Sequence, residues 1–136
     1  AALRDPRRQV VAFVGDGGAL MTGNELATAR LTGVNPIVVI ADNGYYGTIG
    51  LHQDMRFPGR PFEAATQLAN PDFAQWARSF GAKGITITRE EEIEGALAEA
   101  FAPTDRPVVV HAKTSAMQMS AWRQASRPLR FPPPRG

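Results

Sequence analysis

Apolar residues along the chain fall into short continuous runs separated by segments of helical period. Gln9 to Val14 (QVVAFV) is an apolar, β-branched run closed by Gly15, and Pro36 to Ala41 (PIVVIA) is a second. Runs of this length that are apolar on both sides of the chain predict strands buried on two faces, as in a parallel sheet. Between them, Thr22 to Leu31 has the pattern of a helix, with Thr22 and Glu25 at capping-box spacing and Gly33 as the stop. The unit reads as β-α-β with a right-handed crossover.

The long stretch Asp42 to Leu68 is rich in Gly, Pro and aromatics, with a short helix expected near Gly47 to Gln53. Loops of that length inside a domain tend to be functional. Asn70 is expected to cap the next helix with Pro71 at its first position and Gly81 beyond its end; Phe73, Trp76, Ala77 and Phe80 form its apolar stripe. Gly84 to Thr88 predicts a third strand. Thr88 and Glu91 predict another capping box, and Ile93, Leu97 and Phe101 are expected to face the core from the helix that follows. Pro107 to Ala112 (PVVVHA) predicts a fourth strand, in which His111 is expected to be a packed residue. The fold class is therefore α/β, a parallel sheet with helices on both faces. A domain is expected over residues 1–118, with a Pro/Arg-rich tail over 119–136.

Charge refines this picture. The formal net charge of +2 is set by Arg123, Arg127, Arg130 and Arg135, which lie after Ala121 with no acid among them; the remainder holds 13 acidic and 11 basic residues. The body shows no nucleic-acid footprint. Glu90 to Glu92 read as a solvated helix start. The chain has no cysteine, which excludes disulfides and thiolate metal sites. It has no apolar run of membrane-spanning length. A cytoplasmic location is the expectation.

The candidate chemistry lies at the strand ends. Gly15-Asp16-Gly17-Gly18 follows the first strand, and the glycines are expected to allow positive φ and close approach to a ligand. Amide groups at such a strand-to-helix turn attract phosphate. A dinucleotide fingerprint would need a glycine at Leu20, and the second position of the turn is an acid. A carboxylate beside a phosphate is repulsive unless a cation lies between them. Asp42-Asn43-Gly44 ends the next strand, about 25 residues after Gly17, and one β-α-β unit brings both strand ends to the same sheet edge. Asp16 and Asn43 can then face one Mg²⁺, which prefers about six oxygen ligands, some from substrate phosphates.

The blocks GDGGALMTGNELATA, PIVVIADNGYYGTIGLHQ, FPGR and NPDFAQWARSFGA, in this order and spacing, resemble the C-terminal part of the acetolactate-synthase-like thiamine-diphosphate-dependent enzymes, over roughly Gln9 to Ala112. The resemblance implies the thiamine-diphosphate-binding fold, truncated at its N-terminus. It implies that Asp16 and Asn43 bind Mg²⁺ by their side chains and Tyr45 by its carbonyl, and that Gly15, Gly17, Gly18 and Ala19 cradle the diphosphate. Tyr46, Gly47 and Thr48 would lie along the cofactor, and Ile49 and His52 on the substrate side. Asp42, Thr48, Ile49 and His52 depart from the family's usual residues, which leaves the substrate open.

The implied activity is decarboxylation or carboligation of small 2-oxo acids in a homo-oligomer. No catalytic residue is assigned within the chain. The activating glutamate belongs to a separate pyrimidine-binding domain, in cis or from another subunit, and part of this domain would precede Ala1. Two rival readings stand beside this one: a catalytically inactive cofactor-binding or interaction module, and a nucleotide-binding α/β domain that uses Asp16 for Mg²⁺.

Overall fold

The computed structural model describes residues 1–57, 66–116, 118–120 and 123–124. Four strands form one parallel sheet: β1 (Val11–Gly15), β2 (Ile37–Asp42), β3 (Lys83–Ile87) and β4 (Val108–Lys113), in the order β1-β2-β4-β3. The helices are α1 (Asp16–Thr22), α2 (Leu26–Thr32), α3 (Gly47–Arg56), α4 (Phe73–Ser79) and α5 (Ile93–Phe101). Residues Gln118–Ser120 and Arg123–Gln124 form a small antiparallel pair, β5 and β6. Most of the Pro/Arg-rich tail lies outside the described residues, as do Pro58, Gly59 and Arg60 of the FPGR block.

The two faces of the sheet bury different sets. Ile40 and Val109 meet Ala19, Leu26, Phe73 and Ala77, with Val14, Val38, Trp76 and Phe80 packed around them. On the other face Ile37, Ile85, Ile87, Val108 and Val110 meet Ala96 and Ala100 of α5. The alternation along β4 follows from the two-residue period of a strand. α4 presses closely on β3, because Gly84 leaves room for the backbone of Ala74.

Several local expectations shift. The chain passes straight from β1 into α1 at Asp16, and a 3-10 turn (Gly23–Glu25) separates α1 from α2, so Thr22 caps nothing. Glu25 stands at the N-cap of α2, but its side chain makes no capping bond and accepts from Thr28 Oγ1 at 2.7 Å. Gly33 ends α2 in the left-handed conformation, φ 69°. α4 is capped by Asp72, whose Oδ1 accepts from the amides of Ala74 and Gln75, and not by Asn70. Before α5 the capping acid is Glu92, not Glu91: its Oε2 accepts from the amides of Thr88 and Arg89, and these bonds with the Arg89 side chain hold its carboxyl at about 2.

α5 is rotated from the expected face. Ala96 and Ala100 are buried, while Ile93 and Phe101 are more than two-fifths exposed. The small residues let the helix lie close over β3 and β4 alone. Consequently, among the described residues no helix covers β1 on that face, and Phe13 is 77% exposed.

Candidate functional site

The parallel topology sets the C-terminal ends of all four strands at one edge. Gly15, Ala41 and Ala112 stand in register there, followed by Asp42 opposite Lys113. An open groove of about 1210 Å³ runs along this edge and up the face that α5 leaves bare; Gly15, Asp16, Asn43, Tyr45, Gly47 and Thr48 line it, with Phe13, Val39 and Val110 on its apolar wall. Clefts outside the carboxyl ends of parallel strands are where open α/β sheets bind ligands.

Asp16 is 3% exposed. Its Oδ1 accepts from the Gly17 amide at 3.0 Å, and its Oδ2 accepts from the Gly44 amide at 2.8 Å and from Asn70 Nδ2 at 2.7 Å. These donors are neutral, and among the described residues no cation lies within ion-pair distance of it. Among the described residues Asp16 is thus a buried carboxyl bonded only to neutral N–H donors.

Asp42, 4% exposed, is the opposite case. Its Oδ2 accepts from Lys113 Nζ at 2.6 Å and from His111 Nε2 at 2.7 Å. Its Oδ1 accepts from Asn70 Nδ2 at 2.7 Å and from the Gly44 amide at 3.1 Å. Burial raises its carboxyl, but the bonds from Lys113, His111 and Asn70 outweigh this and hold it well below the usual carboxylate range. His111 is packed, as expected. Its ring also meets Phe73 edge-on at 5.2 Å, and its Nδ1 lies 3.5 Å from Asp72 Oδ1.

Asn43 closes an Asx turn, its Oδ1 accepting from the Tyr45 amide at 3.0 Å. Gly44 sits at φ 76°, a backbone conformation that glycine takes without a Cβ clash. Residues 44–46 run against 66–68: Tyr46 N donates to Thr66 O and Leu68 N to Gly44 O, each at 2.8 Å.

The positive φ expected of the first turn's glycines is not found. Among the described residues positive φ occurs only at Gly33, Gly44 and Gly81. Gly15, Gly17 and Gly18 keep ordinary φ because α1 starts at once after β1. Gly17 instead makes room for the Tyr46 ring, whose Cε1 would lie 2.3 Å from an added Cβ. Gly18 and Ala19 face a separate apolar cavity of about 280 Å³ between α1, α2 and Trp76. Ile49 and His52 sit on exposed positions of α3, one and four residues past Thr48 at the groove. Glu90 lines the far part of the groove, which the reading of Glu90 to Glu92 as a solvated helix start did not anticipate. Asn70, which ties Asp16 to Asp42, was missed because the Pro71 beside it read as a helix start.

Fold and edge together define a parallel α/β domain whose groove holds an acid with no counter-ion among the described residues. Residues 1–112 match the family model for the C-terminal TPP binding domain of thiamine pyrophosphate enzymes. A putative thiamine pyrophosphate-containing protein, YdaP, of Bacillus subtilis is 40% identical over 110 residues, 81% of this chain and 18% of that protein. The acetolactate synthase large subunit of Haemophilus influenzae is 34% identical over 79% of this chain and 19% of its own length. The benzoylformate decarboxylase of Pseudomonas aeruginosa is 33% identical over 87% and 22% respectively. The chain thus spans about a fifth of the length of these curated relatives. It belongs to the thiamine pyrophosphate enzyme family, as a C-terminal TPP binding domain. No helix among the described residues is long and apolar enough to cross a membrane.

Proposed function

We propose that this chain holds the diphosphate of thiamine diphosphate through Mg²⁺, as part of a 2-oxo acid decarboxylase or carboligase. The observation that carries the reading is the buried Asp16 carboxylate, which lines the groove and has no cationic partner among the described residues. Hard oxygen donors suit Mg²⁺, which is commonly held by one or two carboxylates together with phosphate oxygens. Asp16 and Asn43 would supply the side-chain oxygens and Tyr45 its carbonyl, while Gly15, Gly47 and Thr48 bound the space beside them. Asp42 is unsuited to the ion because Lys113 already balances it and His111 bonds the same oxygen. The bound cofactor supplies an electron sink for loss of CO₂ from a 2-oxo acid.

The chain's own share is placement and charge neutralisation. Activation of the cofactor's pyrimidine calls for a carboxylate that Asp16, engaged at the diphosphate end, does not supply. A separate domain carrying that glutamate, in cis or from another subunit of a homo-oligomer, would complete the site. The exposed wall around Phe13 gives such a neighbour an apolar surface to cover.

Calorimetry with thiamine diphosphate, ATP and NAD, each with Mg²⁺, tests the cofactor. The expected result is binding of thiamine diphosphate alone; preferential binding of ATP or NAD overturns the reading. Turnover of 2-oxo acids is expected only after the pyrimidine-binding domain is added. An isolated chain that turns over at an ordinary enzymic rate, about 1–10³ per second, contradicts the half-site. No turnover with a complete partner favours an inactive module.

A further inference from the structure

The two strand-end acids share their donors, and Asn70 is the side chain between them. Its Nδ2 lies 2.7 Å from Asp16 Oδ2 and 2.7 Å from Asp42 Oδ1. The orientation of the amide follows from chemistry: the NH₂ group has two protons for two carboxylates, whereas the carbonyl oxygen would be repelled by both. The Gly44 amide contacts the same two oxygens, at 2.8 and 3.1 Å. Asn70 is itself placed from both sides. The pairing of residues 66–68 with 44–46 fixes the chain before it, and Asp72, capping α4, fixes the chain after it.

This arrangement links a balanced charge to an unbalanced one. Lys113 and His111 anchor Asp42, and Asn70 carries that anchorage to Asp16. Two carboxylates this close repel each other unless donors lie between them, and a carboxylate meant for a metal must be held at a set orientation before the ion arrives.

We propose that Asn70 is a positioning residue of the cofactor site: by donating to Asp16 and Asp42 together, it holds the Asp16 carboxylate ready for the divalent cation that bridges to the diphosphate. It touches neither ion nor cofactor in this account. The inference rests on the metal-bridged reading above and adds to it the residue that sets the ligand's orientation.

The test uses the full 136-residue chain, measuring thiamine diphosphate binding by equilibrium dialysis while Mg²⁺ is titrated. Asn70→Ala should raise the Mg²⁺ concentration needed for half-maximal binding by about 10–100-fold, the usual effect of losing a partner of a metal ligand. Saturating Mg²⁺ should restore cofactor affinity to near the wild-type value. Asn70→Ser keeps one donor for two acceptors and should fall between the two, which keeps the test open if the alanine variant folds poorly. Gly33→Ala is the control for a purely structural effect. It strains the left-handed end of α2, which precedes β2 and so lies at the sheet edge opposite Asp16, and it should lower the melting temperature and leave the Mg²⁺ requirement unchanged.

A wild-type Mg²⁺ requirement left unchanged in both Asn70 variants overturns the positioning role while leaving the cofactor reading intact. An equal rise in Gly33→Ala also overturns it, by showing that any loosening of the fold suffices. Wild-type chain that binds no thiamine diphosphate at millimolar concentration, with or without Mg²⁺, removes the cofactor reading and this inference with it.

Discussion

Replacing Asp42 by alanine removes the acceptor around which three side chains are arranged, and the structure lets the cost be divided among them. Lys113 is half exposed and can return to water, so its share is small, about 0–1 kcal/mol. Gly44 N and Asn70 keep Asp16 as an acceptor. His111 is the residue that suffers: it is 1% exposed, and its Nε2 has no other partner within the ion pairs and hydrogen bonds of the described residues. An orphaned buried donor costs about 1–3 kcal/mol. The sum is about 1–4 kcal/mol, which for a domain of this size lowers the melting temperature by roughly 4–16 °C. Thermal denaturation followed by near-UV circular dichroism at neutral pH measures it.

The pH dependence has a fixed sign. Because the folded-state carboxyl of Asp42 lies below its ordinary value of 3.8, its contribution is present above that value and is lost as pH falls through the depressed one. The gap between wild type and Asp42→Ala should stay constant from neutral pH down to about pH 5 and close below about pH 4. Adding His111→Leu to Asp42→Ala should recover part of the loss, since removing both partners leaves no orphan. A melting temperature within about 2 °C of wild type, or a gap that widens on acidification, would refute the counter-charge argument.

The environments of the acids give a contrasting prediction: Asp16→Ala should abolish Mg²⁺-dependent thiamine diphosphate binding while changing the melting temperature little, and Asn43→Ala should weaken binding less; calorimetry at limiting Mg²⁺ distinguishes them. Gly84→Ala would place a Cβ 2.1 Å from the backbone oxygen of Ala74, so α4 must lift from β3. The expected loss is about 3 kcal/mol by denaturant titration, and a neutral result would mean that the α4–β3 packing is looser than it stands. His52→Trp, on the exposed side of α3 and four residues past the groove, should alter preference among 2-oxo acids in the assembled enzyme more than cofactor affinity; competition assays measure both.

The strands were legible because each is an apolar run with a clear end. Gln9–Val14 and Pro36–Ala41 anticipate β1 and β2 to within two residues at either end. The stripe of Phe73, Trp76, Ala77 and Phe80 also packs as its spacing implies. What failed was tertiary. Ile93, Leu97 and Phe101 have the right spacing for a core face, but the helix turns Ala96 and Ala100 to the sheet, because close approach to β3 and β4 needs small residues there. Periodicity identifies an apolar stripe without saying how wide a sheet lies beneath it. Asn70 followed by Pro71 has the form of a helix start. Only the folded chain reveals that Asp72 does the capping and frees Asn70 to reach two acids 54 and 28 positions away in sequence.

The site's logic lies in how two neighbouring acids are treated. Asp16 and Asp42 come from consecutive strand ends of one β-α-β unit, are equally buried, and share Gly44 and Asn70 as donors. The sequence singles out Asp16 by its place in the glycine turn but does not show which groups surround either acid. What separates them is β4, which the sheet order inserts beside β2 and which carries His111 and Lys113 to the Asp42 side. Among the described residues the strand on the other side of the unit, β1, has no such neighbour, so Asp16 at its end is left with neutral donors and an open groove. Under the metal-bridged proposal a cation there would meet the Asp16 carboxylate beside Asn43, and the apolar wall of Phe13, Val39 and Val110 next to it would lower the local dielectric and strengthen that attraction. The same strand order that leaves Phe13 bare therefore also leaves Asp16 unpaired: the exposed wall and the unbalanced acid are two consequences of β1 standing at the edge of the sheet.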